Sequence, residues 1–193
     1  MPNDYSVWMT KREKILHTTL ELIANQSIQA TPMSQIAKES GVATGTIYHH
    51  FASKEEIVQQ IYLSTKQDFQ RIIQSNLHPS QNVKSQFISL WKSIYEYYIN
   101  NPLAFRFVQQ VNYSPYINET TRAEAQQYYQ EVYQFFEAGI KAGHFVEMEV
   151  VLIGELIHGN ISTLVEMQLN NMLEQPESQI QHAIEFSWNA IKV

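Results

Sequence analysis

The sequence contains no cysteine and little glycine or proline. Its 193 residues include six glycines and six prolines. The absence of cysteine excludes a disulfide framework, thiolate zinc sites and a cysteine nucleophile. All-β sandwiches and barrels need many turns built from glycine and proline, so the scarcity of these two residues favours helices. With 44% hydrophobic and 17% charged residues, the composition is typical of a globular chain with a core and not of a disordered chain.

The chain also lacks long hydrophobic runs and an excess of positive charge. No run approaches ~18 consecutive apolar residues, so we expect no membrane span. Met1 to Tyr5 show no basic or apolar leader pattern, so we expect no signal peptide and a cytoplasmic protein. The net charge is -6, and residues 61–193 carry most of the acidic excess. Any contact with nucleic acid is therefore expected in the near-neutral first 60 residues.

Two short helices joined by a glycine turn are predicted between residues 31 and 50. Thr31 is a good N-cap, and Pro32 suits the first helical position. Gly41 lies where a helix must end in a left-handed residue. A second short helix is predicted over residues 43–50, and a third begins near Ser53. This order of elements predicts a helix-turn-helix.

Helical periodicity extends over the rest of the chain, and no strand pattern of period two is present. The predicted fold is therefore all-α. The further helices are predicted over residues 10–25, 53–77, 82–99, 103–111, 120–142, 147–173 and from 176 onward.

The segment from Thr31 to Glu55 reads TPMSQIAKESGVATGTIYHHFASKE. It resembles the N-terminal signature of TetR/AcrR-family transcriptional regulators in its Ile-Ala pair, turn glycine, tyrosine and Phe-x-Ser-Lys-Glu ending. The resemblance extends from Ile15 through Ile57. It implies an N-terminal three-helix helix-turn-helix DNA-binding domain over residues 1–55. It also implies a C-terminal helical bundle over residues 56–193 that binds a ligand and forms the dimer.

The resemblance places the second short helix in the major groove of a double-stranded DNA operator, with its N-terminal residues at base edges. Polar side chains on this helix suit base contacts, and Gly45 allows a close approach of the backbone. Ile47, His50 or Phe51 should face inward or sideways, and Phe51 is the residue expected in the core. Tyr48 suits a phosphate contact; the alternative for it is a core aromatic. The residues expected to contact DNA are Thr31, Thr44, Gly45, Thr46, Tyr48, His49 and Lys54.

Two residues of the motif differ from the family pattern. Ala43 replaces the usual serine, so the second short helix lacks a capping oxygen. Thr44 replaces the usual lysine, which removes one cation from the recognition helix.

Aromatic residues are in excess in the C-terminal part, and four of them, Phe87, Trp91, Tyr95 and Tyr98, share one helical face. They either fill a core or line an apolar cavity with hydroxyl groups, as ligand sites between bundle helices do. The family resemblance favours the cavity. We expect a small, mainly apolar ligand that is neutral or cationic, because only three cations occur between residues 80 and 115. The candidate ligand-binding residues are Phe87, Trp91, Tyr95, Tyr98, Phe105, Tyr113, Phe135 and His158.

The helix predicted over residues 147–173 is apolar around nearly its whole circumference. Such a helix is buried on two sides, and the last helix carries its own apolar stripe. Together they predict a homodimer; the alternative is an interior helix of a monomer. The residues expected at the dimer interface are Ile161, Leu164, Val165, Ile184 and Trp188.

No catalytic residue, cofactor or metal is predicted. Glu155 and His158 have the spacing of half a carboxylate-bridged di-metal site, and no second half is present. We therefore predict a ligand-responsive transcriptional regulator, a repressor that a small apolar inducer releases from a palindromic operator. The alternatives are a helical-bundle enzyme and a helix-turn-helix interaction module that binds no small molecule.

Overall fold

The computed structural model describes residues 9–78 and 81–193 of the chain. Within these ranges the backbone forms ten α-helices and no strand, and one isolated antiparallel bridge joins Phe145 to Lys192. The all-α prediction is confirmed, whereas the expectation for Met1 to Tyr5 falls outside the described residues. The helices are α1 (Lys11–Asn25), α2 (Met33–Ser40), α3 (Thr44–His50), α4 (Lys54–Asn76), α5 (Val83–Asn100), α6 (Pro102–Val111), α7 (Glu119–Gln127), α8 (Gln130–Lys141), α9 (Val150–Leu169) and α10 (Pro176–Ile191).

The chain folds into two compact units. Unit 1 consists of Met1–Thr65 and Leu103–Glu124, and unit 2 consists of Lys66–Pro102 and Ala125–Val193. The chain passes from one unit to the other within α4. These units are defined by packing, so the predicted functional boundary after residue 55 stays a prediction.

Local sequence signals set the ends of the first helices. The Thr10 hydroxyl accepts a hydrogen bond from the Glu13 N–H at 3.2 Å, and the Glu13 carboxylate accepts one from the Thr10 N–H at 2.8 Å. This capping box begins α1. The hydrogen bonds from Thr10 also hold the pKa of Glu13 below its usual value. Gly41 ends α2 with a φ of 66°, a left-handed conformation that glycine adopts without strain.

Unit 1 has a core in which α1, α2 and α3 pack on one another. Ile36 of α2 and Ile47 of α3 are fully buried, and Phe51, directly after α3, is buried as well. The Arg12 guanidinium lies 5.3 Å from the centre of the Phe51 ring and donates a hydrogen bond to Gln60 at 2.9 Å. The prediction that Phe51 belongs to the core is confirmed.

In unit 2, α9 packs against α5, α8 and α10. Gly143 follows α8 with a φ of 73° and turns the chain back. The Val146 N–H then donates to the Ile191 carbonyl at 2.7 Å, which fastens the segment after α8 to the end of α10. The largest fully buried side chains of this unit are those of Phe69, Phe87, Trp91, Tyr98 and Phe145.

Two predicted helices differ from the observed ones. The single helix predicted over residues 120–142 is interrupted between α7 and α8. There the N–H groups of Tyr128 and Tyr129 donate to carbonyls three residues back, at 3.2 and 3.1 Å, which is a tighter turn than the α-helix. The helix predicted over residues 147–173 is shorter at both ends and spans Val150–Leu169.

Among the described helices, α9 is long and apolar enough to cross a membrane by length and composition. Core helices of soluble proteins meet the same criterion. One side of α9, which includes Ile153, Ile157, Ile161 and Val165, is buried within unit 2. The expectation of no membrane span stays a prediction.

Candidate functional site

The first candidate site is the outer side of α3. Thr44, Gly45, Tyr48 and His49 are exposed, and Thr46 is half-buried. Tyr48 is 53% exposed, so the alternative that it is a core aromatic is wrong. The helix therefore presents hydroxyl, phenol and imidazole groups outward, which are side chains that can contact base edges and phosphates.

The start of α3 depends on the backbone alone. Ala43 is its N-cap and supplies no side-chain hydrogen bond, as the sequence predicts. The Ala43 carbonyl accepts from the N–H groups of Thr46 at 2.8 Å and Ile47 at 3.1 Å. A Cβ added at Gly45 would meet no atom within 4 Å. Packing within the chain therefore does not require glycine at this position. The open space beside Gly45 leaves room for another molecule to approach the backbone closely.

Thr31 and Lys54 lie in other surroundings than predicted. Thr31 is fully buried, its hydroxyl donates to the Ser27 carbonyl at 2.7 Å, and Pro32 takes the N-cap position of α2. The Lys54 ammonium donates to the carbonyls of Ile28 at 2.9 Å and Thr31 at 3.2 Å. The predicted DNA contact of the Thr31 side chain is therefore wrong. Lys54 fastens the loop before α2 to the start of α4, and its predicted DNA contact stays a prediction.

The second candidate site is the aromatic row of α5. Trp91, Tyr95 and Tyr98 are buried, and each polar atom has a partner on α9 or α10. The Trp91 indole N–H donates to the Ser187 hydroxyl at 3.1 Å, and the Tyr95 hydroxyl donates to the Gln168 amide oxygen. Burial raises the pKa of Tyr95. The row is thus apolar, and each of these polar atoms has a partner within unit 2. Its assignment to ligand binding stays a prediction.

Tyr98 and His158 form the polar end of this row. The Tyr98 hydroxyl and the His158 Nε2 atom are 2.9 Å apart and share a hydrogen bond. Burial lowers the pKa of His158 to about 4; the positive charge of Lys66 lowers it further, and the negative charge of Glu155 opposes this. The imidazole is therefore neutral near pH 7. Within residues 9–78 and 81–193 no group of three or more histidine or acidic residues could hold a metal.

Sequence reasoning missed Lys66. It lies on α4 and is 5% exposed, with its ammonium 5.8 Å from the centre of the Phe69 ring and 5.4 Å from that of Tyr129. A signal was available: Lys66, Phe69 and Ile73 are spaced three and four residues apart, so the lysine shares a helical face with core residues. A cation on an apolar helical face predicts a buried charge.

The remaining ligand-binding candidates have different positions. Phe105 is buried in unit 1, so it does not belong to the same unit as the α5 row. Tyr113 is 79% exposed, and the prediction that it lines an enclosed site is wrong. Phe135 is half-buried in unit 2, where its ring lies 5.6 Å from that of Phe145. Phe87 is buried, with its ring 5.4 Å from that of Trp188.

The predicted dimer residues lie on the inner sides of their helices. Ile161, Val165 and Ile184 are fully buried within the single chain, Leu164 is buried, and Trp188 is half-buried. None of the four buried residues can form a surface, so for these four the prediction is wrong in its choice of face, and for Trp188 it stays a prediction. The exposed large hydrophobic residues on α9 and α10 are Val151, Leu152, Leu156 and Phe186.

Two family models match the chain. The model described as bacterial regulatory proteins of the tetR family matches residues 15–61. The model described as a tetracyclin repressor-like C-terminal domain matches residues 82–192, which is more than half of the chain. The first match contains the helix-turn-helix, and the second contains the aromatic row of α5 with α9 and α10.

Individual proteins agree with these matches. The HTH-type transcriptional repressor KstR2 of Mycobacterium tuberculosis is 25% identical over 159 residues, which cover 77% of this chain and 76% of that protein. A tetR-family transcription regulator from Shewanella sp. PV-4 superposes with a TM-score of 0.86 at 29% identity, over 96% of this chain and all of that one.

A third protein is similar in fold alone. FadR of Bacillus subtilis, solved in complex with stearoyl-CoA, superposes with a TM-score of 0.72 at 20% identity, over 92% of this chain and 98% of that one. The motif, the fold and both family models agree: the chain belongs to the TetR family and is a helix-turn-helix transcriptional regulator.

Proposed function

We propose that this protein is a dimeric, cytoplasmic repressor that binds a palindromic operator through α3 and leaves it when a mainly apolar ligand binds unit 2. The observation that carries the proposal is the two-sided character of α3. Ile47 is fully buried while Thr44, Tyr48 and His49 are exposed. The name of the similar KstR2 protein, a transcriptional repressor, supports repression over activation. We propose no catalytic role.

Recognition of the operator follows from the chemistry of α3. The Thr44 and Thr46 hydroxyls can donate to or accept from base edges, and the His49 imidazole can do either according to its tautomer. Because α3 contains no lysine or arginine, we expect the preference for one operator sequence to come from contacts of these polar side chains with base edges. Affinity from phosphate contacts then depends on cations elsewhere, of which Lys11 and Lys38 are exposed in unit 1.

We assign the dimer contact to the exposed face of α9 and α10. Leu152 and Leu156 are one helical turn apart on α9, and Phe186 on α10 is 65% exposed. Large apolar side chains at such positions are stabilised when a second copy covers them. A dimer with a two-fold axis presents two recognition helices to two half-sites, which explains why the operator should be palindromic.

Ligand control requires a difference in affinity between two states. A compound that binds the DNA-competent and DNA-free states equally well does not shift the equilibrium between them, however tightly it binds. The α5 row offers stacked rings, with Trp91 and Tyr95 centroids 5.7 Å apart, beside hydroxyl groups. The stearoyl-CoA bound by the FadR neighbour supports a ligand with a long apolar part. We propose that such a ligand favours the DNA-free state.

Selection of duplexes from a random pool, followed by titration of the enriched sequence, tests the proposal. Thr46→Ala and His49→Ala should each weaken operator binding by about 1–3 kcal/mol and leave binding to scrambled DNA unchanged. His144→Ala, at an exposed histidine between α8 and α9, is the matched control and should bind as the wild type does. No enriched palindrome, or equal binding to operator and scrambled duplexes, would contradict the proposed function.

A further inference from the structure

The burial of Ile47 fixes which side of α3 faces away from the rest of the chain. Ile47 is fully buried, whereas Gly45 and His49, two positions before and after it, are exposed. An α-helix turns by about 100° per residue, so both lie roughly 160° from Ile47 and share one face, about one turn apart. Gly45 and His49 therefore form the centre of the outward face of α3, and the other polar residues of the helix flank it.

Packing within the chain does not explain why residue 45 is a glycine. A Cβ at Gly45 would meet no atom within 4 Å, and the backbone there is not in the left-handed region. Because glycine is less favourable than alanine inside a helix, alanine at this position would stabilise the isolated chain. The glycine instead lets the backbone of α3 approach a surface closely. When that surface is the floor of the major groove, the residue one turn later comes within reach of base edges.

The His49 ring is free to bond to another molecule. Among the residues that the structure describes, its nitrogens have no hydrogen-bond or ion-pair partner, and its ring lies edge-on to that of His50, with centroids 5.6 Å apart. Helix α3 contains no acidic residue that could pair with it. The neutral and the protonated imidazole both carry at least one N–H group. The outward face of α3 thus presents an N–H donor to DNA.

This donor suits guanine better than the other bases. In the major groove guanine presents two neighbouring acceptors, N7 and O6, whereas adenine places an amino donor beside N7. Thymine places a methyl group beside O4, and cytosine presents an amino donor. The side chains that pair with adenine or cytosine, which are asparagine, glutamine, aspartate and glutamate, are absent from α3. The Thr44 and Thr46 hydroxyls both donate and accept, so they fit several bases.

We propose that His49 selects the operator sequence by donating a hydrogen bond from its ring to N7 of one guanine in each half-site, with Gly45 bringing α3 close enough for this contact. The proposal rests on the proposed repressor function and names the base that the recognition helix reads. The two residues have different roles: His49 chooses the base, and Gly45 sets how deeply the helix enters the groove.

Replacing single guanines of the selected operator by 7-deazaguanine tests the contact. This base keeps its Watson–Crick pairing and O6 but lacks the N7 acceptor. Replacement at one guanine of a half-site should weaken wild-type binding about five- to tenfold, through the loss of one hydrogen bond. In His49→Ala the same replacement should change the remaining affinity less than about twofold. The proposal is wrong if no 7-deazaguanine weakens wild-type binding, if the same loss remains in His49→Ala, or if only 7-deazaadenine has this effect.

Selection of duplexes by two further variants gives an independent readout. Arginine pairs with guanine and glutamine with adenine, so His49→Arg should still enrich guanine at this position, whereas His49→Gln should enrich adenine. A residue that only supports the fold would not exchange one base for another. His144→Gln, at an exposed histidine between α8 and α9, is the matched control and should enrich the wild-type site. Enrichment of guanine by His49→Gln would contradict the proposal.

The variant Gly45→Ala separates the approach of α3 to DNA from the stability of the fold. It should raise the stability of the chain, because alanine is the better helix former, and weaken operator binding about tenfold, because α3 is held away from the base. Gly154→Ala, whose Cβ would meet only Tyr133 at 3.8 Å, is the matched control and should raise stability without changing DNA binding. Unchanged operator affinity in Gly45→Ala would contradict the role of Gly45.

Failure of this proposal is separable from failure of the proposed function. If a palindrome is selected but no guanine in it depends on N7, the repressor function stands and the base assignment is wrong. If the selected site is not palindromic but one guanine depends on N7 and on His49, the base assignment stands and the proposed dimeric repressor is wrong. If no duplex is selected, both are wrong.

Discussion

The recognition helix α3 and the long helix α9 differ in how clearly their sequences specify an inner side. Within α3 only Ile47 is fully buried, and polar residues occupy most of the other positions. The inner side of α3 could therefore be predicted, and it is confirmed. Helix α9 has apolar residues on both its buried side, with Ile161 and Val165, and its exposed side, with Leu152 and Leu156. Periodicity identifies two apolar faces in α9 and does not rank them.

The same contrast holds for two lysines of α4. Lys54 belongs to unit 1, where its ammonium donates to the carbonyls of Ile28 and Thr31. Lys66 belongs to unit 2, where its ammonium lies over aromatic rings. Lysine side chains are mostly solvated in folded proteins, and the sequence motif assigned Lys54 to DNA. In the folded chain one lysine closes a loop and the other supplies charge to an apolar interior.

The largest effect should come from placing a negative charge on the buried face of α9, compared with the same charge on its exposed face. Val165→Glu places an unpaired carboxylate in the core of unit 2 and should lower the free energy of unfolding by roughly 3–5 kcal/mol. Leu156→Glu changes the exposed face, so the chain should stay folded and become monomeric. Circular dichroism with heating measures the first effect, and light scattering measures the second. If Val165→Glu is instead folded and monomeric, the dimer contact lies on the inner face of α9, and the assignment to the exposed face is wrong.

Tight packing in unit 2 gives the next prediction. A Cβ added at Gly139 would lie 2.2 Å from two ring atoms of the buried Phe145, so Gly139→Ala should destabilise the fold by about 1–3 kcal/mol. Gly154→Ala is the matched control, because its Cβ would meet only Tyr133 at 3.8 Å. The control should gain about 0.5–1 kcal/mol from reduced backbone freedom. Urea denaturation measures both, and equal stability of the two variants would disprove the predicted clash.

His158 makes the stability of unit 2 depend on pH. Burial holds its pKa at about 4 in the folded chain, against an ordinary value of 6.5, so between these pH values the unfolded chain binds more protons. Stability should therefore fall as the pH drops below 6.5, by about 2 kcal/mol between pH 7 and pH 5. Lys66 and Tyr98 face this ring, and Glu155 acts on it from α9.

The variant His158→Gln isolates this contribution. It should unfold with a smaller loss of stability between pH 7 and pH 5, whereas His182→Gln, at an exposed site, should retain the wild-type slope. Denaturant titrations at both pH values measure the slopes. An unchanged slope in His158→Gln would show that the imidazole is not held neutral by burial.

The smallest effect concerns the loop before α2. Lys54→Met removes two hydrogen bonds to carbonyl groups and should destabilise the chain by about 1–2 kcal/mol. Lys38→Met is the control: its side chain is 82% exposed, so its effect should stay within about 0.5 kcal/mol. If Lys54→Met changes only DNA affinity and its salt dependence, Lys54 is a phosphate contact after all.

Much of unit 1 could be predicted because its signals are local. Gly41 ends α2 in a left-handed conformation, Ala43 leaves α3 without a side-chain cap, and Phe51 is buried, all as the sequence indicates. Thr31 is the exception. Its hydroxyl turns inward to the carbonyl of Ser27, four residues earlier, which accepts its hydrogen bond at 2.7 Å.

Local patterns in the chain were enough to predict an all-α fold, a helix-turn-helix with a polar outer side on α3, and aromatic residues gathered on one face of α5. Each of these follows from contacts within a few residues, where periodicity and capping operate. Long-range packing set the buried face of α9 and brought Lys66 among Phe69 and Tyr129. Those outcomes depend on helices far apart in the chain, because an apolar face or a buried charge acquires its role only from the residues that pack against it.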